Sequence, residues 1–98
     1  MDVEFDDADL ARLETDPRYD GGFPASVVRA FRKRMDDIRS ALDERDFYAL
    51  KSLHYEKLKG SDDEHSMRLN NQWRLIMTIA IDGPRRTVRI KHISNHYE

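Results

Sequence analysis

The sequence predicts an α+β domain, because a segment with helical periodicity is followed by segments with the two-residue period of strands. In residues 24–42 the apolar side chains recur at intervals of three and four, as on one face of a helix. Residues 66–69 and 87–93 alternate between apolar and polar side chains, as half-buried strands do. Helices followed by an antiparallel meander is the arrangement that this order favours.

Short elements are expected before the long helix. Residues 3–5 are predicted to form a short strand. Asp6 or Asp7 can cap a short helix that ends near residues 16–17, and residues 20–22 form a glycine loop.

The long helix is predicted to be amphipathic. Pro24 suits its first turn, and Asp43 can cap a further short helix that runs through Leu50. The apolar stripe consists of Val27, Val28, Phe31, Met35, Ile38 and Leu42. The opposite side carries Arg29, Arg32, Lys33 and Arg39.

Residues 73–81 are dense in Ile, Leu and Met, which predicts a central strand covered on both faces. The turn at Asn70-Asn71 allows two registers. A two-residue loop pairs Arg68 with Trp73 and sends Arg68 and Arg74 to opposite faces. A three-residue loop, residues 69–71, pairs Arg68 with Gln72 and places both arginines on one face. The pattern alone leaves both open.

Length and composition point to one domain, residues 1–98, that is soluble and cytoplasmic. The chain has no cysteine, so neither a disulfide nor a thiolate metal site is expected. The acidic first ten residues lack the pattern of a signal peptide, and no apolar run reaches the ~20 residues of a membrane span.

The net charge of −2 conceals an uneven distribution. Residues 1–22 hold eight acids and two bases, whereas residues 23–98 hold eleven acids, fifteen bases and all four histidines. Such asymmetry suggests either a basic surface that meets an anion or a solvated surface of mixed charge.

The polar side chains of the second part suit chemistry on an RNA phosphodiester. Histidine and tyrosine can act as base and acid, and arginine and lysine can stabilise the charge of the transition state. His92 and His96 are four residues apart, but a strand end is a poor frame for metal ligands. We therefore expect neither a metal site nor any other cofactor.

Three short motifs lie close together: Leu58-Lys59-Gly60, Ser66-Met67-Arg68-Leu69-Asn70 and Trp73-Arg74-Leu75. With the preceding helices, they resemble the HigB-type toxins of the RelE/ParE superfamily, small bacterial toxins that cleave mRNA on the ribosome. The resemblance covers nearly the whole chain. It implies a RelE-like fold, which is a mostly antiparallel mixed sheet packed by two N-terminal helices.

The resemblance also implies roles for individual residues. The catalytic residues would be Arg68, Arg74, His92, His96 and Tyr97. The RNA-binding residues would be His54, Lys57, Lys59, Arg89 and Lys91. His96-Tyr97 matches the histidine-tyrosine ending of YoeB-like relatives, whereas His92, aligned from Val88, falls where many HigB-type toxins have aspartate. Which residue is acid and which is base stays open.

The implied activity is that of a metal-independent, ribosome-dependent mRNA endonuclease in a type II toxin–antitoxin system. The implied partners are mRNA on the ribosome and a cognate antitoxin, commonly a helix-turn-helix DNA-binding protein. Two alternatives remain. The chain could be a ParE-like toxin that inhibits gyrase, or a non-catalytic module that binds RNA or an antitoxin.

Overall fold

The helices and strands follow the predicted order along the chain. The computed structural model describes residues 1–95. Its elements are β1 (Asp2–Phe5), α1 (Ala8–Thr15), α2 (Ala25–Ser40), α3 (Glu44–Ala49), a 3₁₀ turn (Lys51–Leu53), β2 (Glu56–Lys57), β3 (His65–Arg68), β4 (Trp73–Asp82) and β5 (Arg85–Asn95). The aspartate caps form as expected, because Asp7 accepts a hydrogen bond from the Asp9 amide and Asp43 accepts one from the Arg45 amide.

The five strands form one sheet in the order β1-β5-β4-β3-β2. β1 pairs with β5 in parallel, and the other neighbours are antiparallel. The prediction of a mostly antiparallel mixed sheet with N-terminal helices is therefore confirmed. The short edge strand β2 is an addition to the predicted elements.

The hydrophobic core lies between one face of the sheet and the helices. Alternate residues of the central strands point into it, as the two-residue period requires. The sheet contributes Met67, Leu75, Met77, Val88 and Ile90, and the helices contribute Leu10, Leu13, Val27, Phe31, Met35 and Ile38. Each such side chain contributes ~1.5–3 kcal/mol when it is fully buried.

The burial of β4 is confined to its middle, so the prediction that this strand is covered on both faces is wrong for much of its length. Only Leu75, Ile76 and Met77 are buried, and the strand is exposed from Ala80 onward. Ile76 is buried on the second face of the sheet, where it lies opposite Ser66 and His92.

The β3–β4 turn has neither of the two predicted registers. Arg68 lies directly opposite Arg74, and the amide of Leu69 donates to the Trp73 carbonyl. The loop therefore consists of residues 70–72. The Asn70 side chain fixes it by accepting hydrogen bonds from the amides of Gln72 and Trp73. Directly opposite residues share a face, so both arginines lie on one face after all.

Two expectations for α2 need correction. Leu42 lies beyond the end of the helix and is 85% exposed. Arg32 is not a solvated surface residue, because its guanidinium donates to the carbonyls of Leu13, Asp16 and Tyr19. It thereby ties α2 to the end of α1 and the loop that follows.

None of the helices within residues 1–95 has the length and apolar character needed to cross a membrane.

Candidate active site

A groove of about 450 Å³ opens at the end of the sheet where β3 turns into β4. We call it the turn groove. It is lined by Arg34, Ser52, His54, Arg68, Leu69, Asn70 and Asn71. The groove gathers residues from α2, from the segment around the 3₁₀ turn and from the β3–β4 turn, which are far apart in sequence.

Arg68 and His54 meet in the turn groove. Arg68 Nη1 lies 3.5 Å from His54 Nε2, and Arg68 Nη2 donates to Asn71 Oδ1. A guanidinium group can only donate hydrogen bonds, so this contact uses Nε2 as the acceptor. The groove thus sets the lone pair of an imidazole nitrogen against a permanent cation.

The backbone at His54 is strained. Its φ of 46° and ψ of 47° place it in the left-handed region, and it is the one non-glycine residue with positive φ in residues 1–95. This conformation costs a β-carbon-bearing residue ~1–2 kcal/mol and tends to occur at functional sites. It ends the 3₁₀ turn and directs the exposed His54 side chain into the groove.

Arg74 supports this conformation from β4. Its Nε donates to Ser66 Oγ at 2.8 Å, and its Nη2 donates to the His54 carbonyl at 2.6 Å and lies 3.4 Å from Glu56 Oε1. Burial lowers the pKa of the Arg74 guanidinium, and neighbouring Arg68 lowers it further, whereas Glu56 raises it. Arg74 therefore holds the His54 backbone in place, and two of its three guanidinium nitrogens are already engaged.

The fold of this chain is shared with a protein of known structure. Its structure is similar to that of a YoeB/ParE toxin from Agrobacterium tumefaciens, with a TM-score of 0.64 and 19% sequence identity. The match covers 99% of this chain and 100% of the other. The chain has the fold of that YoeB/ParE toxin. No protein-family model and no curated protein matches the sequence.

On this toxin fold, the predicted cations of β5 are engaged elsewhere. Arg89 donates to Asp6 at 2.7 Å and to Glu4 at 3.0 Å, and Lys91 lies 3.0 Å from Asp6. These hydrogen bonds hold the pKa of the Asp6 carboxyl below its ordinary value of 3.8, with the Lys91 bond contributing most. The acidic start of the chain thus neutralises part of the basic strand. RNA binding by Arg89 and Lys91 stays a prediction.

The remaining predicted residues fall in different places. Lys57 lies on the edge strand opposite His65, and Lys59 is exposed in the following turn, so neither lines the turn groove. His92 lies opposite Ile76, two residues along β4 from Arg74. His96 and Tyr97 lie outside the described residues. Asn95, which precedes them, pairs with Trp73 beside Arg74.

The described part of the chain has no cluster of side chains suited to a metal ion. Residues 1–95 contain no cluster of three or more histidine, aspartate or glutamate side chains that could hold an ion. Of the pair His92 and His96, only His92 lies within that range.

Sequence reasoning missed four of the residues that line the turn groove. Asn70 belonged to a toxin-like motif, but neither it nor Asn71 was given a role beyond the turn, and Ser52 gave no signal. Arg34 stands beside the apolar stripe of α2, between Phe31 and Met35, and is absent from the polar side predicted above. Its spacing of three from Asp37 was a weak sign of the ion pair that they form.

Proposed function

We propose that this protein is the toxin of a type II toxin–antitoxin system and that it cleaves mRNA bound to the ribosome. The observation that carries the proposal is the pairing of His54 Nε2 with Arg68 in an open groove. Attack by a ribose 2′-hydroxyl on the adjacent phosphate requires at least a proton acceptor and a cation that stabilises the developing negative charge. The YoeB/ParE fold supports a toxin role by analogy.

The proposed reaction uses side chains alone. When Arg68 turns from His54 Nε2 to the phosphate, that nitrogen is free to remove the proton of the 2′-hydroxyl. The 2′-oxygen then forms a bond to phosphorus while the bond from phosphorus to the 5′-oxygen breaks. Arg68 stabilises the negative charge that develops on the phosphoryl oxygens. The products are a 2′,3′-cyclic phosphate and a 5′-hydroxyl, once an acid has protonated the leaving oxygen.

The acid is proposed to come from the end of the chain. His96 and Tyr97 follow Asn95, whose register brings it opposite Trp73, next to Arg74. His92 is a weaker candidate, because it lies further along the strand, opposite Ile76. In this proposal Arg74 has a supporting role, since two of its three guanidinium nitrogens already hold Ser66 and the His54 carbonyl.

The test is controlled induction of the gene in bacteria with mapping of transcript ends. We expect growth arrest and cuts inside translated codons, with none in a transcript whose start codon has been removed. Growth arrest with intact mRNA and broken DNA would instead identify a gyrase inhibitor of the ParE kind. No arrest and no cleavage would leave a non-catalytic binding module.

An antitoxin partner is part of the proposal. A toxin of this kind harms its own host, so a neighbouring gene should encode a protein that neutralises it. Co-expression of that neighbour should restore growth, and the two proteins should co-purify. Continued arrest with both adjacent genes expressed would contradict the toxin–antitoxin assignment.

A further inference from the structure

Arg34 is an arginine that the proposed reaction does not use. It lies on α2 beside the core, and only 14% of its side chain is exposed. Nη1 donates to Asp37 Oδ2 at 2.7 Å, but Nε is buried and has no hydrogen-bond partner among the described residues. A buried donor without a partner is costly, so its presence on the wall of the turn groove requires an explanation.

Apart from Ser52 and His54, the polar side chains that line the turn groove offer hydrogen-bond donors. The oxygen of Asn70 already accepts from two backbone amides, and that of Asn71 accepts from Arg68. The amino group of each side chain remains for a ligand, and it can only donate. Arg34 and Arg68 can only donate, and no carboxylate is among the described residues that line the groove. A lining of this kind matches a ligand with several acceptor oxygens and negative charge.

We propose that Arg34 binds a second phosphate of the RNA strand, next to the scissile phosphate that Arg68 holds. The inference rests on the proposed function, because it takes the ligand of Arg68 to be an RNA phosphate. Two guanidinium groups on one groove, joined by amide donors, fit two neighbouring phosphodiesters of a single strand. Arg34 acts in binding and register, and it takes no part in the proton transfers.

The experiment uses RNA probes that cannot react. A tetranucleotide with 2′-O-methyl groups lacks the attacking hydroxyl, and three derivatives each carry one neutral methylphosphonate linkage. With the wild-type protein, two of the three derivatives should bind about 10-fold more weakly than the parent. With Arg34→Met, only one derivative should do so. The dependence of log K on log salt should also become shallower by about 0.7, the loss of one phosphate contact with a single strand.

Asp37→Asn is the matched control, because it breaks the same ion pair and leaves Arg34 in place. If Arg34 serves only that pair, both variants should lose similar stability and give the wild-type pattern with the probes. If Arg34→Met does not fold, a measurement on the wild-type protein still tests the inference. Its Arg34 Nε–H resonance should move when the parent probe is added, and should move less with the one derivative that lacks the second charge.

Three results would overturn the inference. They are an unchanged probe pattern in folded Arg34→Met, displacement of the probe by pentaglutamate at equal charge concentration, and no probe binding by wild-type protein at low salt. The second would identify an acidic peptide site. Cleavage of mRNA on induction together with any of these leaves the proposed function intact. If Arg34→Met changes the probe pattern but induction causes no mRNA cleavage, the phosphate site is supported and the proposed function is rejected.

Discussion

At the scale of single residues, the left-handed conformation of His54 allows one substitution to distinguish a catalytic role of its side chain from a structural one. Glycine occupies the left-handed region without the steric cost that a β-carbon imposes. The hydrogen bond from Arg74 goes to the His54 carbonyl, so it survives any change of side chain. A substitution can therefore remove the imidazole and relieve the strain together.

We predict that His54→Gly keeps or slightly raises the melting temperature while lowering mRNA cleavage by ~100- to 10,000-fold, the range for loss of an acid or base. Relief of the strained backbone offsets the greater flexibility of glycine in the unfolded chain. Thermal melts and a cleavage assay with ribosomes measure the two effects. Cleavage within a few-fold of wild type would remove His54 from the mechanism.

Arg68 provides the second test at this scale. Arg68→Ala should lower cleavage by ~100- to 1,000-fold, because a positioned charge donor is lost. Arg68→Lys should recover only part of the loss, since lysine lacks the planar fork whose two nitrogens contact His54 and Asn71. Both variants should stay folded, because Arg68 is only half-buried. Arg29→Ala, on the exposed side of α2, is the control and should cleave normally.

At the scale of elements, periodicity predicted the parts of the fold that depend on local pattern. The α2 stripe and the alternation in β5 identify their buried faces, because a regular element repeats its contacts along its length. In β3 the prediction of a half-buried strand is wrong at Ser66, which is buried on the polar face where it accepts a hydrogen bond from Arg74. The register of the β3–β4 turn could not be predicted from local pattern. It depends on the Asn70 oxygen, which closes the turn one residue further along than either predicted loop.

The candidate site was harder to predict than the fold, because it is assembled from non-local contacts. Arg68 was identified from its motif. The supporting role of Arg74 follows from a hydrogen bond to a residue twenty positions away. Arg34 joins the site only because the end of β3 lies beside α2. No local sequence pattern indicates that α2 lies beside the end of β3.

The N-terminal strand β1 offers a prediction about pH. The lowered pKa of Asp6 means that its charged form stabilises the fold above the ordinary carboxyl pKa of 3.8, and that this contribution is lost as the pH falls through the lowered value. Asp6→Asn should therefore be less stable than wild type at pH 7, and the difference should shrink below about pH 4. Urea melts at pH 7, 5 and 3 test this. Asp62→Asn, an exposed carboxylate in a loop, is the control and should show little difference at any pH.

At the scale of the whole molecule, the reaction is expected to proceed without a bound metal. In the proposed mechanism, His54 and Arg68 would supply the proton acceptor and the cation that attack by the 2′-hydroxyl requires. Treating the purified protein with a chelator of transition metals, then returning it to ribosomes in magnesium buffer, should leave the cleavage rate unchanged. Activity that is lost on chelation and restored by one added transition metal would contradict the side-chain mechanism.

The charge asymmetry of the chain also acts at this scale. The acidic start of the chain lies along β5, where Glu4 and Asp6 pair with Arg89 and Lys91. The bases of β5 are thereby paired beside the middle of β4, where Arg89 lies opposite Thr78, whereas the turn groove lies at the start of β4. Arg34 in the groove is paired with Asp37, but Arg68 has no carboxylate partner among residues 1–95. RNA phosphates are therefore expected at Arg68 rather than at Arg89 and Lys91.

The double variant Glu4→Gln, Asp6→Asn tests this expectation and the predicted RNA-binding role of Arg89 and Lys91 together. Removing both carboxylates frees the two cations, so binding to single-stranded oligouridine should tighten. The salt dependence should steepen by about 0.7 for each phosphate newly engaged. Cleavage should not rise, because these cations lie away from His54. Asp62→Asn, Glu64→Gln changes the net charge equally and is the control. If both double variants tighten binding alike, net charge alone explains the effect, and Arg89 and Lys91 lose their place as RNA-binding residues.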